Sequence, residues 1–86
     1  MRDILFRGNA FDDFNDWSKT DKNTFKRLVK LIEEVRRNPF DGIGKPEPLK
    51  HQLAGCWSRR INDQHRLVYI VSDFAIEIIS CKFHYK

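Results

Sequence analysis

The sequence is sparing with the residues that staple, hinge or embed a chain. Its two cysteines, Cys56 and Cys81, form no CxxC pair. That excludes a disulfide scaffold and a zinc ribbon, and reads as two small buried hydrophobes. Four glycines and three prolines exclude collagen-like and linker-like chains. No apolar run approaches the roughly 18 residues of a membrane span. The N-terminus also lacks the apolar core of a signal peptide, so the expectation is a soluble cytoplasmic protein with no membrane partner. Charge of one sign is missing too: 16 Lys and Arg stand against 12 Asp and Glu, a net charge of +4. That is too mild to name a polyanionic partner on its own.

What is present suits one folded unit. The 86 residues are 41% hydrophobic and include seven Phe, which argues against disorder. The length implies a single domain over residues 1–86. Such a chain buries only about 60% of its unfolded surface, so its stability is expected to be marginal. The positive excess is uneven. Residues 45–66 carry Lys45, Lys50, Arg59, Arg60 and Arg66 against Glu47 and Asp63, a local +3.

Periodicity sets the element order. Residues 2–7 read as a short strand with partial alternation, followed by a break at Gly8-Asn9. Asn9 is placed to cap a short helix, with Asp12 near its positive end. Phe11, Phe14 and Trp17 recur every three residues and read as a core stripe. Thr20 or Asp21 can cap a second helix, in which Phe25, Leu28, Val29, Ile32 and Val35 mark the buried face. Asn38-Pro39 ends it. Residues 40–48 form a loop whose Gly-Ile-Gly-Lys stretch is no phosphate loop, because a helix rather than a strand precedes it. Residues 56–62, 66–71 and 75–83 are strand-like and joined by hairpin-length connections. The sum is an α+β domain: an N-terminal strand, then a helical hairpin packed on an antiparallel sheet. Apolar residues of both parities in the last two strands suggest a sheet covered over much of both faces.

Three kinds of residue could carry chemistry. Glu47 stands between Pro46 and Pro48 on a stiff, extended segment, a good mount for one carboxylate, with Lys45 and Lys50 nearby. Side chains alternate along a strand, so Arg59 and Arg60 cannot share a face. Arg60, on the polar parity with Ser58 and Asn62, is the better anion ligand. A three-residue loop over 72–74 would set Arg66 opposite Ser80, on one face with Lys82 and His84; a two-residue loop would reverse it. His84, just past the last apolar strand and beside Phe83 and Tyr85, can titrate near neutrality. His51, His65 and His84 show no metal-ligand spacing, so no metal and no cofactor are expected. A carboxylate, arginines and a titratable histidine are the parts needed for RNA cleavage without a metal.

Several ordered blocks carry a resemblance. They are Thr20-Asp21-Lys22, Arg36-Arg37-Asn38-Pro39-Phe40, the run from Gly44 to His51, Leu53, Gly55, Trp57 to Ile61, His65 to Tyr69, and Cys81-Lys82-Phe83-His84-Tyr85. Together they span nearly the whole chain and resemble the YoeB toxin family of the RelE superfamily. Lys86 is the one departure, since members often end at the tyrosine. The resemblance implies a microbial-RNase-like α+β fold and a type II toxin–antitoxin toxin. It implies cleavage of mRNA in the A site of the 70S ribosome, inhibiting translation. It suggests Glu47 as general base, Arg66 as the phosphate-stabilising residue, His84 as general acid and Tyr85 as a nucleotide-placing side chain, with Lys50 and Arg60 lining the pocket. It also implies a YefM-type antitoxin, a homodimer, and operator DNA bound only through the toxin–antitoxin complex. The alternative is a basic, non-catalytic RNA- or ribosome-binding module on the same fold.

Overall fold

A strand, two helices and four more strands follow one another along residues 1–83, the residues that the computed structural model describes. β1 (Asp3–Phe6) alternates exposed Asp3 and Leu5 with half-buried Ile4 and Phe6, the period of a strand lying on a core. α1 (Ala10–Thr20) starts after Gly8, whose φ of +55° only glycine adopts without strain. Asn9 occupies the cap position, but its side chain makes no capping bond. Its carbonyl accepts the Asp13 N–H instead. α2 (Lys22–Arg37) is capped by Asp21. The Asp21 carboxylate accepts the Thr24 N–H at 3.1 Å and the Thr24 hydroxyl at 2.7 Å, and these bonds hold its pKa below the ordinary value.

The aromatic stripe of α1 is core at one end only: Trp17 is buried, Phe14 half-buried, and Phe11 is 52% exposed. A spacing of three falls short of the 3.6-residue turn, so over six residues the stripe rotates about 120° around the helix. Trp17 faces the sheet, where its Nε1 donates to the Cys81 carbonyl at 2.8 Å, and Phe11 swings out against Phe6. On α2, Leu28, Ile32 and Val35 are buried as the pattern requires, and so is Leu31.

β2 (Glu47–Pro48), β3 (Trp57–Arg60), β4 (Arg66–Val71) and β5 (Ala75–Ser80) complete a five-stranded sheet of order β1-β5-β4-β3-β2. All pairs are antiparallel except β1 with β5, which is parallel. The two helices supply the crossover that parallel pairing needs. They cover one face, where Leu28, Leu31, Ile32 and Val35 meet Leu67, Tyr69, Ile76 and Ile78. Among the described residues, the other face holds a small cluster of Leu49, Cys56 and Val68, with Leu53, Ile70 and Ile79 at its margin. Among the described residues no α-helix covers that second face, so the fold is two layers rather than a sheet covered on both sides. Among the described residues no helix is long and apolar enough to cross a membrane.

The β4–β5 register differs from the expected pairing of Arg66 with Ser80. Val71 faces Ile76, and a bulge then sets Val68 opposite Ser80. β5 ends there. Lys82 turns to α1, its ammonium 3.9 Å from Asp16 and over the Trp17 ring, rather than to Arg66.

Candidate active site

The open face of the sheet is where the charged residues gather, and the loop that brings Glu47 to it is fixed by a buried cation. Arg59 lies on the helix-side parity of β3 and is wholly buried. Its Nε donates to Tyr69 Oη at 3.2 Å, its Nη1 to the Ile43 carbonyl at 3.2 Å, and its Nη2 to the carbonyls of Asp41, at 2.8 Å, and Asn38. Tyr69 Oη in turn donates to the Pro39 carbonyl at 2.7 Å. One guanidinium therefore ties three points of the segment after α2 to the sheet. The parity argument places Arg59 on the correct face but does not reveal this role. The signal is a five-donor side chain on the apolar parity between Trp57 and Ile61.

Gly44 closes the same loop. Its φ is +85°, and a Cβ there would lie 2.9 Å from Leu31 Cδ2 and 3.2 Å from the Arg60 carbonyl. Its own carbonyl accepts the Arg60 N–H at 2.6 Å. The chain next passes Lys45, at φ 53°, and reaches β2. Glu47 is therefore part of a two-residue edge strand paired to β3, not of a free loop.

The register sets the site. Glu47 faces Ser58, Ser58 faces Val68, and Arg60 faces Arg66. Directly opposed residues share a face, so Glu47, Ser58, Arg60 and Arg66 all project from the open side. Arg66 Nη1 lies 3.4 Å from Glu47 Oε1. Glu47 is half exposed and Arg66 mostly covered, at 51% and 16% of their side chains. Arg60 is exposed. Lys50 is exposed and lines, with Glu47, His51 and Leu53, an open concavity of about 680 Å³. His51, at φ 59°, turns the backbone there.

His84 and Tyr85 lie outside the described residues. The approach to them is described: the Arg66 N–H donates to the Phe83 carbonyl at 3.2 Å, and the Phe83 N–H donates to His65 Nδ1 at 2.6 Å. The His65 ring also packs edge-on against Trp17 at 4.7 Å. His65 and Arg66 thus anchor the chain one residue before His84, a role that ligand spacing gave no hint of. Both cysteines are buried free thiols. Burial pushes Cys56 up, and Cys81, buried most deeply and near Asp13, is pushed up to about 12. Among the described residues no three His, Cys, Asp or Glu side chains gather as a metal site would require.

The same fold occurs in small bacterial toxins. The chain superposes with a TM-score of 0.92 on a YoeB/ParE toxin from Agrobacterium tumefaciens, at 44% identity, covering 96% of this chain and 99% of that one. It matches the YoeB dimer from Staphylococcus aureus with a TM-score of 0.90, at 47% identity over 98% of each chain. It matches YoeB in a heterotetrameric YoeB–YefM toxin–antitoxin complex from the same organism with a TM-score of 0.89, at 46% identity over 99% of each chain. In sequence, toxin YoeB of Escherichia coli is 49% identical over 82 residues, 95% of this chain and 98% of that protein. The model of the YoeB-like toxins of bacterial type II toxin–antitoxin systems matches residues 6–85, and the chain belongs to that family.

Proposed function

We propose that this toxin is an mRNA endoribonuclease that acts on the translating 70S ribosome, in the A site, and needs no metal. The observation that supports this best is the Glu47–Arg66 pair at 3.4 Å on the open face, with Arg60 on β3 directly opposite Arg66. A half-exposed ion pair of this kind is weak and exchangeable. A scissile phosphate can take the Arg66 guanidinium and leave the Glu47 carboxylate to work as a base.

The chemistry then balances without a co-reactant. Glu47 takes the proton of the ribose 2′-OH, and the 2′ oxygen bonds to the adjacent phosphorus. Arg66 meets the charge that develops on the non-bridging oxygens, with Arg60 and Lys50 adding positive field. His84 gives its proton to the departing 5′ oxygen, and Tyr85 places the base. The products are a 2′,3′-cyclic phosphate and a 5′-hydroxyl. By the same reading the toxin dimerises and is silenced in the cytoplasm by a YefM-type antitoxin, with operator DNA reached only through that complex.

Deleting residues 84–86 tests this. Primer extension on translated mRNA should show discrete cuts within codons for the intact chain. Cuts should fall by about 10²–10⁴-fold for a truncated chain that keeps its circular dichroism spectrum. Truncated and intact chains cutting equally would remove His84 as the acid. Ribosome binding by the intact chain with no cuts at all would make it a binding module instead.

A further inference from the structure

The Glu47–Arg66 ion pair has to cross a strand. Glu47 lies on β2 and Arg66 on β4, with β3 between them. Neighbouring strands lie about 4.8 Å apart and the two rows are two residues apart at about 3.3 Å each, so the two residues start about 12 Å from each other in the sheet. On that face β3 presents Ser58, opposite Glu47, and Arg60, opposite Arg66. The bridge therefore passes over β3 between a serine and an arginine, and a small residue at 58 leaves room for it. Volume alone would be served by alanine. Ser58 is instead wholly buried, and its Oγ finds no hydrogen-bond partner among the described residues. A buried hydroxyl without a partner destabilises a fold and calls for an explanation.

We propose that Ser58 is a positioning residue for Glu47, its hydroxyl donating to the carboxylate when the substrate phosphate draws Arg66 away. This rests on the endoribonuclease reading. Arg66 reaches Glu47 through Nη1 alone, at 3.4 Å, and a phosphate that draws the guanidinium away breaks this long contact. Directly opposed residues on paired strands have Cβ atoms about 4.5–5.5 Å apart, so the hydroxyl reaches the carboxylate by side-chain rotation alone. A hydrogen bond from the hydroxyl holds the Glu47 carboxylate aimed at the ribose. Among the described residues, the charged and titratable groups near Glu47 are Arg66 from β4, Arg60 on the same face of β3, and Lys50 and His51 from the concavity it shares with them. Ser58 is the neutral donor directly opposite. Being buried it cannot touch the RNA, so it acts only through Glu47.

The test compares wild type, Ser58→Ala, Ser58→Cys, Glu47→Gln and the double variant Glu47→Gln with Ser58→Ala in single-turnover cleavage of mRNA on saturating ribosomes. Thermal melts run alongside. Ser58→Ala should melt no lower than wild type, since it loses an unpartnered hydroxyl. Its maximal rate should fall about tenfold with unchanged ribosome affinity, and the same change made on Glu47→Gln should cost nothing further. Ser58→Cys should follow it, because a thiol fills the space but donates weakly. Ser58→Ala cutting at the wild-type rate would overturn the proposal. So would a rate loss that tracks a lowered melting temperature or that persists in full on Glu47→Gln. A wild-type chain that leaves the mRNA intact refutes the endoribonuclease reading itself, and the role of Ser58 with it.

Discussion

Replacing Arg59 by Met should be the most damaging single change outside the open face. Four acceptors lose a charged donor: Tyr69 Oη and the carbonyls of Ile43, Asp41 and Asn38. Asn38 and Asp41 are exposed residues whose carbonyls can turn to water, whereas Tyr69 is buried and Ile43 half-buried. Counting the last two at about 1.5–3 kcal/mol each gives about 3–6 kcal/mol. Methionine refills much of the volume, and the cost of burying a cation disappears, which offsets part of the loss. The net is about 2–4 kcal/mol, or a fall of about 8–30 °C in Tm for a chain of this size. Arg59→Lys should recover little, because one ammonium cannot span a phenol on β4 and carbonyls across the loop. Circular dichroism melts of Arg59→Met, Tyr69→Phe and the double variant check the reasoning, with a coupling of about 0.5–3 kcal/mol expected between the two sites. A Tm for Arg59→Met within about 4 °C of wild type would show that the guanidinium is not what ties the loop down.

Gly44→Ala should cost about 2–4 kcal/mol, since it combines a positive φ with close approach to the Arg60 carbonyl, which cannot move aside. A lower urea midpoint at unchanged slope is the reading to look for. Cys81 keeps its proton in the folded state up to about pH 12, whereas the unfolded thiol gives it up near 9.0. Stability should therefore fall as pH rises through that window, and urea titrations of Cys81→Ala should show a shallower decline. At the acid end Asp21 works with the opposite sign. Its depressed carboxyl stabilises the fold above the unfolded value of 3.8, and that contribution is lost as pH falls through the lower folded value. Asp21→Asn should flatten the acid limb of a Tm-against-pH plot.

Much of the fold was legible because local signals agreed with one another. The i, i+3, i+4 period over residues 25–35, the Asp21 cap and the Asn38-Pro39 stop all specify α2, and its observed bounds are Lys22–Arg37. β4 ran as expected over Arg66–Val71. The errors lie where tertiary geometry overrides pattern. Parallel pairing of β1 with β5 leaves no trace in four residues of sequence, because it is decided by the crossover. Ile79 is an ordinary strand residue by composition, yet it is the extra residue of a bulge, so the expected pairing of Arg66 with Ser80 became Val68 with Ser80. The open face was misjudged because apolar residues of both parities mean two cores only if something covers both, and a single helical hairpin covers one. In the site, parity alone put Arg60 outward and Arg59 inward. Bringing Glu47 to the Ser58–Val68 row required the β2–β3 pairing, which two residues flanked by prolines do not announce.

The central claim is that the Glu47 carboxylate abstracts a proton from mRNA, and Glu47→Gln tests it most directly. The amide matches the carboxylate in size, and Glu47 is half exposed on an edge strand, so the variant should fold and bind ribosomes as wild type does. Single-turnover cleavage of a translated mRNA should then fall by about 10²–10⁴-fold with binding unchanged. Cleavage at the wild-type rate by a folded, ribosome-bound Glu47→Gln chain would contradict the account.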